Sequence, residues 1–306
     1  MSDIFMNTKE AAEYLGIHEK QVYALIKAGQ MPATRVTGKW IFPRKLIDNW
    51  IETQAKAGLK EARKKAGRIE GALLAAGSND PALDLLLTSV QASHPEFYIF
   101  SAAMGSIAGL KALGGGYTDV AWSHLYDPAA RDYNTPEVLI PYLRDMPFVV
   151  VHLFSRELGL IVPQGNPLGI VGVGDVWQRH LCIVNRQPGA GTRVYLDHLL
   201  QESGASPDRL PGYDVEVFTH MDVGLAILAG KADAGLATTA VARMLGLQSI
   251  PLTTECFSMV LAQPTFFSKG VQAILDCLRS NPFQAKATAL GGYDFKDAGR
   301  VSHTAL

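Results

Sequence analysis

Along the first fifty residues, apolar positions come in short clusters broken by glycine and proline, and their spacing changes from helical to alternating. In residues 7–15, NTKEAAEYL, Ala11, Ala12 and Leu15 share one helical face, with Asn7 or Thr8 placed as the N-cap and Gly16 as the stop. The next segment, IHEKQVYALIKAG, carries an inward stripe of Ile17, Val22, Leu25 and Ile26 and closes at Gly29. Two short helices joined by a glycine turn predict a helix-turn-helix. Beyond Met31-Pro32 the spacing becomes strand-like: Thr34-Arg35-Val36, a tight turn at Thr37-Gly38, then Lys39-Trp40-Ile41-Phe42, a small hairpin wing. Pro43 opens a further helix, with Leu46, Ile47, Trp50 and Ile51 placed to seal the wing onto the first two helices.

Residues 52–70 contain no proline and carry the stripe Ala55, Leu59, Ala62, Ala66 and Ile69 at helical spacing. They read as a linker helix, with two roles open: a dimerising helix, or a solvated linker that keeps Arg63, Lys64 and Lys65 near DNA. Gly58 and Gly67 weaken the helix. From Gly71 onward, β-like runs such as Ala72 to Ala76 and Phe97 to Phe100 alternate with helical stretches such as Pro81 to Ser89 and Ile107 to Leu113. This alternation predicts an α/β fold with largely parallel sheets, in which ligands gather at the carboxyl ends of strands.

Charge separates the two parts. Residues 1–70 hold 13 Lys and Arg against 8 Asp and Glu, a net of +5, which leaves 15 against 21, or −6, for the remainder of the 306-residue chain. A basic head and an acidic body imply different partners. With 48% hydrophobic and 19% charged residues, the composition fits a globular protein and excludes a disordered or fibrous one. Cys182, Cys256 and Cys277 form no CxxC pair, so neither a disulfide framework nor a direct cation site is expected. The charges of Lys9, Glu10 and Glu13 break any secretory apolar stretch, and no later run is long enough for a membrane span, so a cytoplasmic location without membrane contact is expected.

In the head, polar side chains near the start of the second helix, His18, Lys20, Gln21 and Tyr23, are candidates for contacts to base edges in a major groove. Arg35 and Lys39 flank the wing turn and are candidates for phosphate contacts. In the body, three strand ends run into turns that open helices: Gly77-Ser78-Asn79-Asp80-Pro81, Met104-Gly105-Ser106, and the stretch from Asn185 to Arg193. Backbone donors and hydroxyls at helix N-termini bind anions, and Thr192 and Arg193 add a donor and a positive charge. The third turn lacks the spacing and lysine of a nucleotide P-loop.

The residues Thr8-Lys9-Glu10-Ala11-Ala12, Leu15-Gly16, Val22-Tyr23, Leu25-Ile26, Met31-Pro32 and Gly38-Lys39-Trp40 with Phe42-Pro43 resemble the excisionase-type winged helix-turn-helix, related to the MerR head. A second resemblance covers about residues 71–290. Gly105-Ser106, Gly109-Leu110, Asp119-Val120-Ala121, Ser123-His124-Leu125, Gly159 to Pro163, Asn185 to Gly189 with Gly191-Thr192-Arg193, and Ala232-Asp233-Ala234-Gly235 look like the periplasmic-binding-protein-like domain of molybdate and tungstate receptors. This resemblance implies two α/β lobes joined by crossing strands, with a ligand cleft between them. Residues 71 to about 150 and the C-terminal tail would build lobe one, and about 155–250 lobe two. It assigns Ser78, Ser106, Thr192 and Arg193 to oxyanion-facing positions, with His124 and His220 in matching segments. Asp222 would bring negative charge near the same cleft.

The expected architecture is therefore α/β, with a winged helix-turn-helix domain over residues 1–51, a linker helix over 52–70, and a two-lobed ligand-binding domain over 71–306. The expected function is a homodimeric, one-component transcriptional regulator that binds double-stranded operator DNA and an effector, molybdate or tungstate, without a cofactor. Three alternatives stay open: sensing of an organic acid or other metabolite, a ligand carrier that does not bind DNA, and a cofactor-assembly accessory protein. An enzyme is not expected, because the sequence has no nucleophile elbow, HExxH, paired cysteine ligands or Walker motif.

Overall fold

The computed structural model describes residues 5–51, 53, 72–143 and 146–305. Two units separate at residue 70: Met1–Glu70 and Gly71–Leu306. The linker stripe from Ala55 to Ile69 and the basic residues Arg63, Lys64 and Lys65 lie outside the described residues.

In the first unit, β1 (Phe5–Met6) precedes α1 (Thr8–Leu15), α2 (Glu19–Lys27), β2 (Thr34–Val36), β3 (Lys39–Pro43) and α3 (residues 44–51). Asn7 is the cap of α1: its side chain accepts from the Glu10 N–H, and Glu10 accepts in return from the Asn7 N–H at 2.8 Å. Gly16, at φ 65°, takes the left-handed turn into α2. The strands pair antiparallel in the order β1-β3-β2, and Ala11, Val22, Phe42 and Ile47 form a fully buried centre. Two details differ from the sequence expectation. Pro43 ends β3 instead of starting α3. Of the residues expected to seal α3, Ile47 is buried while Leu46 and Ile51 are exposed, because only one narrow face of a two-turn helix can meet so small a core.

The second unit begins with β4 (Ala72–Gly77), α4 (Pro81–Ser93), β5 (Tyr98–Ala103), α5 (Ser106–Gly114), β6 (Val120–Ser123), the short pair β7 (Tyr126–Asp127) and β8 (Asp132–Tyr133), and α6 (Pro136–Leu143). The long strand β9 (Phe148–Val162) leads to α7 (Val173–Gln178), β10 (Ile183–Arg186), α8 (Gly191–Glu202), β11 (Glu216–Val217), α9 (His220–Leu228), β12 (Ala234–Thr238) and α10 (Thr239–Leu245). A second long strand, β13 (Gln248–Ala262), returns to α11 (Gln263–Phe266), α12 (Lys269–Leu278), α13 (Asn281–Leu290), β14 (Tyr293–Asp294) and β15 (Val301–Ala305).

Among the described residues these strands form one mixed sheet in the order β11-β10-β12-β9-β13-β6-β4-β5, with β14 and β15 also on β9. The antiparallel pair β9 and β13 runs through both lobes. Val151 pairs with Met259 in lobe one, Leu160 with Ile250 in lobe two, and Arg156 with Glu255 at the crossing. Each lobe is covered on both faces of β9, so that strand reads as a nearly continuous apolar run. Val149, Val151 and Leu153 enter one lobe-one core while Phe148 and Val150 enter the other. Leu158, Leu160 and Val162 enter one lobe-two core while Ile161 enters the second. No helix among the described residues is long and apolar enough to cross a membrane.

Candidate ligand cleft and nucleic-acid face

The carboxyl ends of β4, β5 and β10 each turn into a helix, and the three turns meet between the lobes. The N–H groups of Met104 and Gly105 donate to the Gly77 carbonyl at 2.9 and 3.0 Å, and the Ile107 N–H donates across the lobes to the Gly189 carbonyl at 3.1 Å. Glycine permits this approach. A Cβ on Gly77 would stand 2.2 Å from the Trp122 carbonyl oxygen, and one on Gly191 would stand 2.6 Å from the His124 ring.

Hydroxyl groups line the junction. Ser78 Oγ and Ser106 Oγ lie 2.8 Å apart, both buried, and Ser106 Oγ accepts from the His124 N–H at 3.3 Å. Thr192, in the first turn of α8, is buried with its hydroxyl unpartnered, as is Ser123 at the end of β6. The His124 and His220 rings are 6.4 Å apart. His220 is 1% exposed, and neither ring nitrogen has a partner. Burial, then the charges of Arg186 and Arg156, hold its pKa well below the ordinary 6.5, so it is neutral at pH 7.

Beneath these groups, at the strand crossing, lies a buried ionic network. Arg156 donates from Nη1 to Asp80 Oδ2 at 2.6 Å and from Nε to Glu255 Oε2 at 2.9 Å, and its guanidinium lies over the Phe257 ring. Glu255 Oε1 accepts from His124 Nδ1 at 3.0 Å, which makes Nδ1 the protonated nitrogen, since an ionised carboxylate only accepts. Burial opposes ionisation of Glu255, but the His124 ring and the Arg156 guanidinium outweigh it and hold the carboxyl down at about 2. Asp80 also accepts from Tyr293 and caps α4 through the Ala82 N–H. The network thus ties α4, both crossing strands and β14 together.

Arg186 is different. It is 3% exposed, and its hydrogen-bond partners are all neutral: the Phe218 carbonyl at 2.7 Å, Gln187 Oε1 at 3.3 Å, and Asn79 Oδ1 of the opposite lobe at 3.4 Å. Among the described residues no carboxylate lies within ion-pair distance. Burial and repulsion from Arg156 pull its pKa down to about 10, which still leaves it charged at pH 7. Gln187, beside it, has its buried amide nitrogen unpartnered.

Ser78, Ser106, His124, Thr192 and His220 therefore sit on the elements that close this junction. Arg193 does not supply its charge. Its guanidinium donates to Asp197 at 3.2 Å and to the Arg186 carbonyl at 3.0 Å, lies 3.6 Å from Glu216, and stacks 3.9 Å over Tyr213. All four partners belong to lobe two, and the charge they leave open is that of Arg186, seven residues earlier on the end of β10. Asp222 is likewise committed: it accepts from the Thr219 N–H at 3.0 Å and caps α9. Sequence reading missed Arg156, Glu255, Asp80 and Arg186 as site residues. The available signal was a charge inside an apolar run, as in FVVVHLFSRELGLIV, and an arginine already inside the third turn.

On the head, His18, Lys20, Gln21, Tyr23, Arg35 and Lys39 are all exposed. Gln21 is partly committed, because its Oε1 accepts from the His18 N–H at 3.0 Å and closes the start of α2. Tyr23 is half exposed, so it belongs to the outer face of α2 and not to the core. Arg35 donates to the Gly38 carbonyl at 3.1 Å and stands over the Trp40 ring, which fixes the wing turn from outside.

A helix-turn-helix domain profile matches residues 5–55, and a PBP superfamily domain profile matches residues 87–279. The chain is 29% identical over 299 residues to the uncharacterized protein YvgK of Bacillus subtilis, covering 96% of each. Among solved structures it is similar to a Clostridium perfringens protein described as a phosphate ABC transporter substrate-binding protein with bound phosphate, at TM-score 0.57 and 14% identity, covering 74% of this chain and 100% of that one. It is also similar to a tungstate ABC transporter structure from Geobacter sulfurreducens, at TM-score 0.52 and 14% identity, covering 71% and 98%. With two-lobed topology, crossing strands and profile in agreement, the chain belongs to the PBP superfamily and carries a helix-turn-helix domain ahead of its PBP domain.

Proposed function

We propose that the protein is a ligand-responsive transcriptional regulator whose cleft binds an oxyanion and whose head binds operator DNA. The observation that carries the reading is Arg186, a buried cation whose hydrogen-bond partners are all neutral and which feels the carboxylates of Glu255 and Asp222 only from beyond ion-pair distance. A buried charge without a counter-ion is costly, and an anionic ligand is the group that removes the cost. The hydroxyls of Ser78, Ser106 and Thr192, the Gln187 amide and the single N–H of neutral His220 supply donors around it. Tungstate and molybdate are the first effectors to test, and the fold shared with a tungstate transporter and a phosphate-bound protein supports an oxyanion of this size.

An anion held by Ser78 and Ser106 on lobe one and by Arg186 and Thr192 on lobe two binds best when the lobes are closed, so it shifts the population toward closure. In a homodimer, closure would alter how two heads meet a two-fold operator. The ligand is an effector and is released unchanged, no cofactor takes part, and the site of action is the cytoplasm, where the DNA is.

The test pairs two measurements on the full chain. Thermal unfolding with tungstate, molybdate, sulfate and phosphate should show a rise in Tm with at least one anion, which Arg186→Gln abolishes. Fluorescence anisotropy on selected operator DNA should then show affinity changing with that anion in the wild type alone. A flat Tm with every anion sinks the cleft reading, and absence of specific DNA binding sinks the regulator reading in favour of a ligand carrier.

A further inference from the structure

We propose that the oxyanion is carried on a compact apolar body, as in an organic phosphate ester, and that the body fills a cavity beside the anion cradle. The inference rests on the anion-binding reading above and narrows the class of anion. A cavity of about 290 Å³ opens between α4 of lobe one and α9 and α10 of lobe two, walled by Leu85, Met221, Val241, Met244 and Leu290. Asn79 and His220 also line it. Asn79 is the lobe-one residue that reaches Arg186 at 3.4 Å, and His220 is the buried imidazole with both nitrogens unpartnered. The cavity therefore adjoins the Arg186 site through Asn79 and His220, with the His220 nitrogens buried behind its lining.

Size and lining select the occupant. The volume is many times the roughly 30 Å³ share of one water and close to the lower end of the roughly 300–1,000 Å³ found for small organic ligands. A free tetrahedral oxyanion is satisfied by charge and donors and gains nothing from leucine, valine and methionine. Apolar walls favour a group whose own apolar surface leaves water. Methionines at 221 and 244 adapt to such a group without fixing one shape. Asp84, also on the lining, disfavours a second negative charge, so the ligand is an anion at one end only.

The experiment measures Kd by calorimetry for inorganic phosphate and for methyl, butyl and phenyl phosphate, alongside tungstate and molybdate, on the wild type, Met244→Asp and Arg186→Gln. Met244 is half exposed, so Met244→Asp keeps the fold, as its ligand-free melting curve verifies. The expected result is an affinity that rises from inorganic to butyl and phenyl phosphate by tenfold or more, given roughly fourfold per buried CH2. Met244→Asp should remove that gain, so that butyl and phenyl phosphate bind it no tighter than inorganic phosphate does, and Arg186→Gln should lose binding of both. If tungstate, molybdate or inorganic phosphate binds and no ester binds tighter than phosphate, the organic body is refuted while the oxyanion reading stands. A gain insensitive to Met244→Asp places the body outside this cavity and also refutes it. Binding of none of these anions overturns both readings together.

Discussion

The two units use their polar residues in opposite ways. In the head, His18, Lys20, Tyr23 and Lys39 stand in solvent on a scaffold built around a small apolar core of Met6, Ala11, Ala12, Val22, Met31, Phe42 and Ile47. In the cleft, Asp80, Arg156, Arg186 and Glu255 are buried charges, each defined by which neighbour answers it, and His220 is buried and neutral. A surface charge is held by water and acts at long range. A buried one is held by specific partners, and the proposed function rests on the one whose hydrogen-bond partners are all neutral. Substitutions should separate these two regimes.

The largest effect is expected at the crossing. Arg156→Met leaves Asp80 and Glu255 as uncompensated buried carboxylates and should cost roughly 3–5 kcal/mol in a urea titration. A loss below about 1 kcal/mol would mean that the network relaxes or takes up protons freely. Next comes Arg186→Gln, which should weaken the anion roughly 10- to 100-fold while leaving unliganded stability equal or higher, since it removes an unpaired buried charge. Arg193→Ala should do the reverse, destabilising the fold by roughly 1–3 kcal/mol with anion affinity unchanged. If Arg193→Ala instead abolishes anion binding, the division between the two arginines is wrong.

Acid titration sharpens the contrast further. His220 is neutral in the fold with a pKa well below 6.5, so the unfolded chain takes up its proton first and stability falls as the pH drops below about 6.5. Glu255, held at about 2 against an ordinary 4.5, contributes fully above about 4.5 and loses that contribution as the pH falls toward 2. His220→Asn should reduce the upper step, to which buried His124 and His152 also contribute, and leave the lower one. Identical slopes between pH 7 and 5 in both proteins would place His220 outside the linkage. The smallest effect on the fold is expected at Lys39→Ala, which should leave the melting curve unchanged, weaken all DNA sequences alike, and reduce the slope of log K against log salt by about one.

Much of the fold was legible because it depends on local spacing. Asn7, Gly16 and Thr37-Gly38 mark a cap, a left-handed turn and a hairpin through their own backbone preferences, and the apolar run Ala72 to Ala76 announces β4. The turns at Ser78, Ser106 and Thr192 were legible for the same reason, since a small polar residue between a strand and a helix points to a helix N-terminus. Arg193 shows where this kind of reading fails. Neither its identity nor its position in the turn reveals that Asp197, one helical turn on, and Tyr213 and Glu216, from a later segment, claim its guanidinium. The same holds for Arg186, whose importance lies in the absence of such partners.

The sequence by itself marked the helix-turn-helix and wing of the basic head, the alternation of strands and helices in the body and the glycine-bearing turns at its strand ends, because caps, periodicity and positive φ are properties of a few neighbouring residues. Only the tertiary structure decided which charges cancel. Arg156 meets Asp80 from 76 residues away and Glu255 from 99 residues away, and Coulomb energy in a buried site depends on those distances in space, which no local spacing encodes.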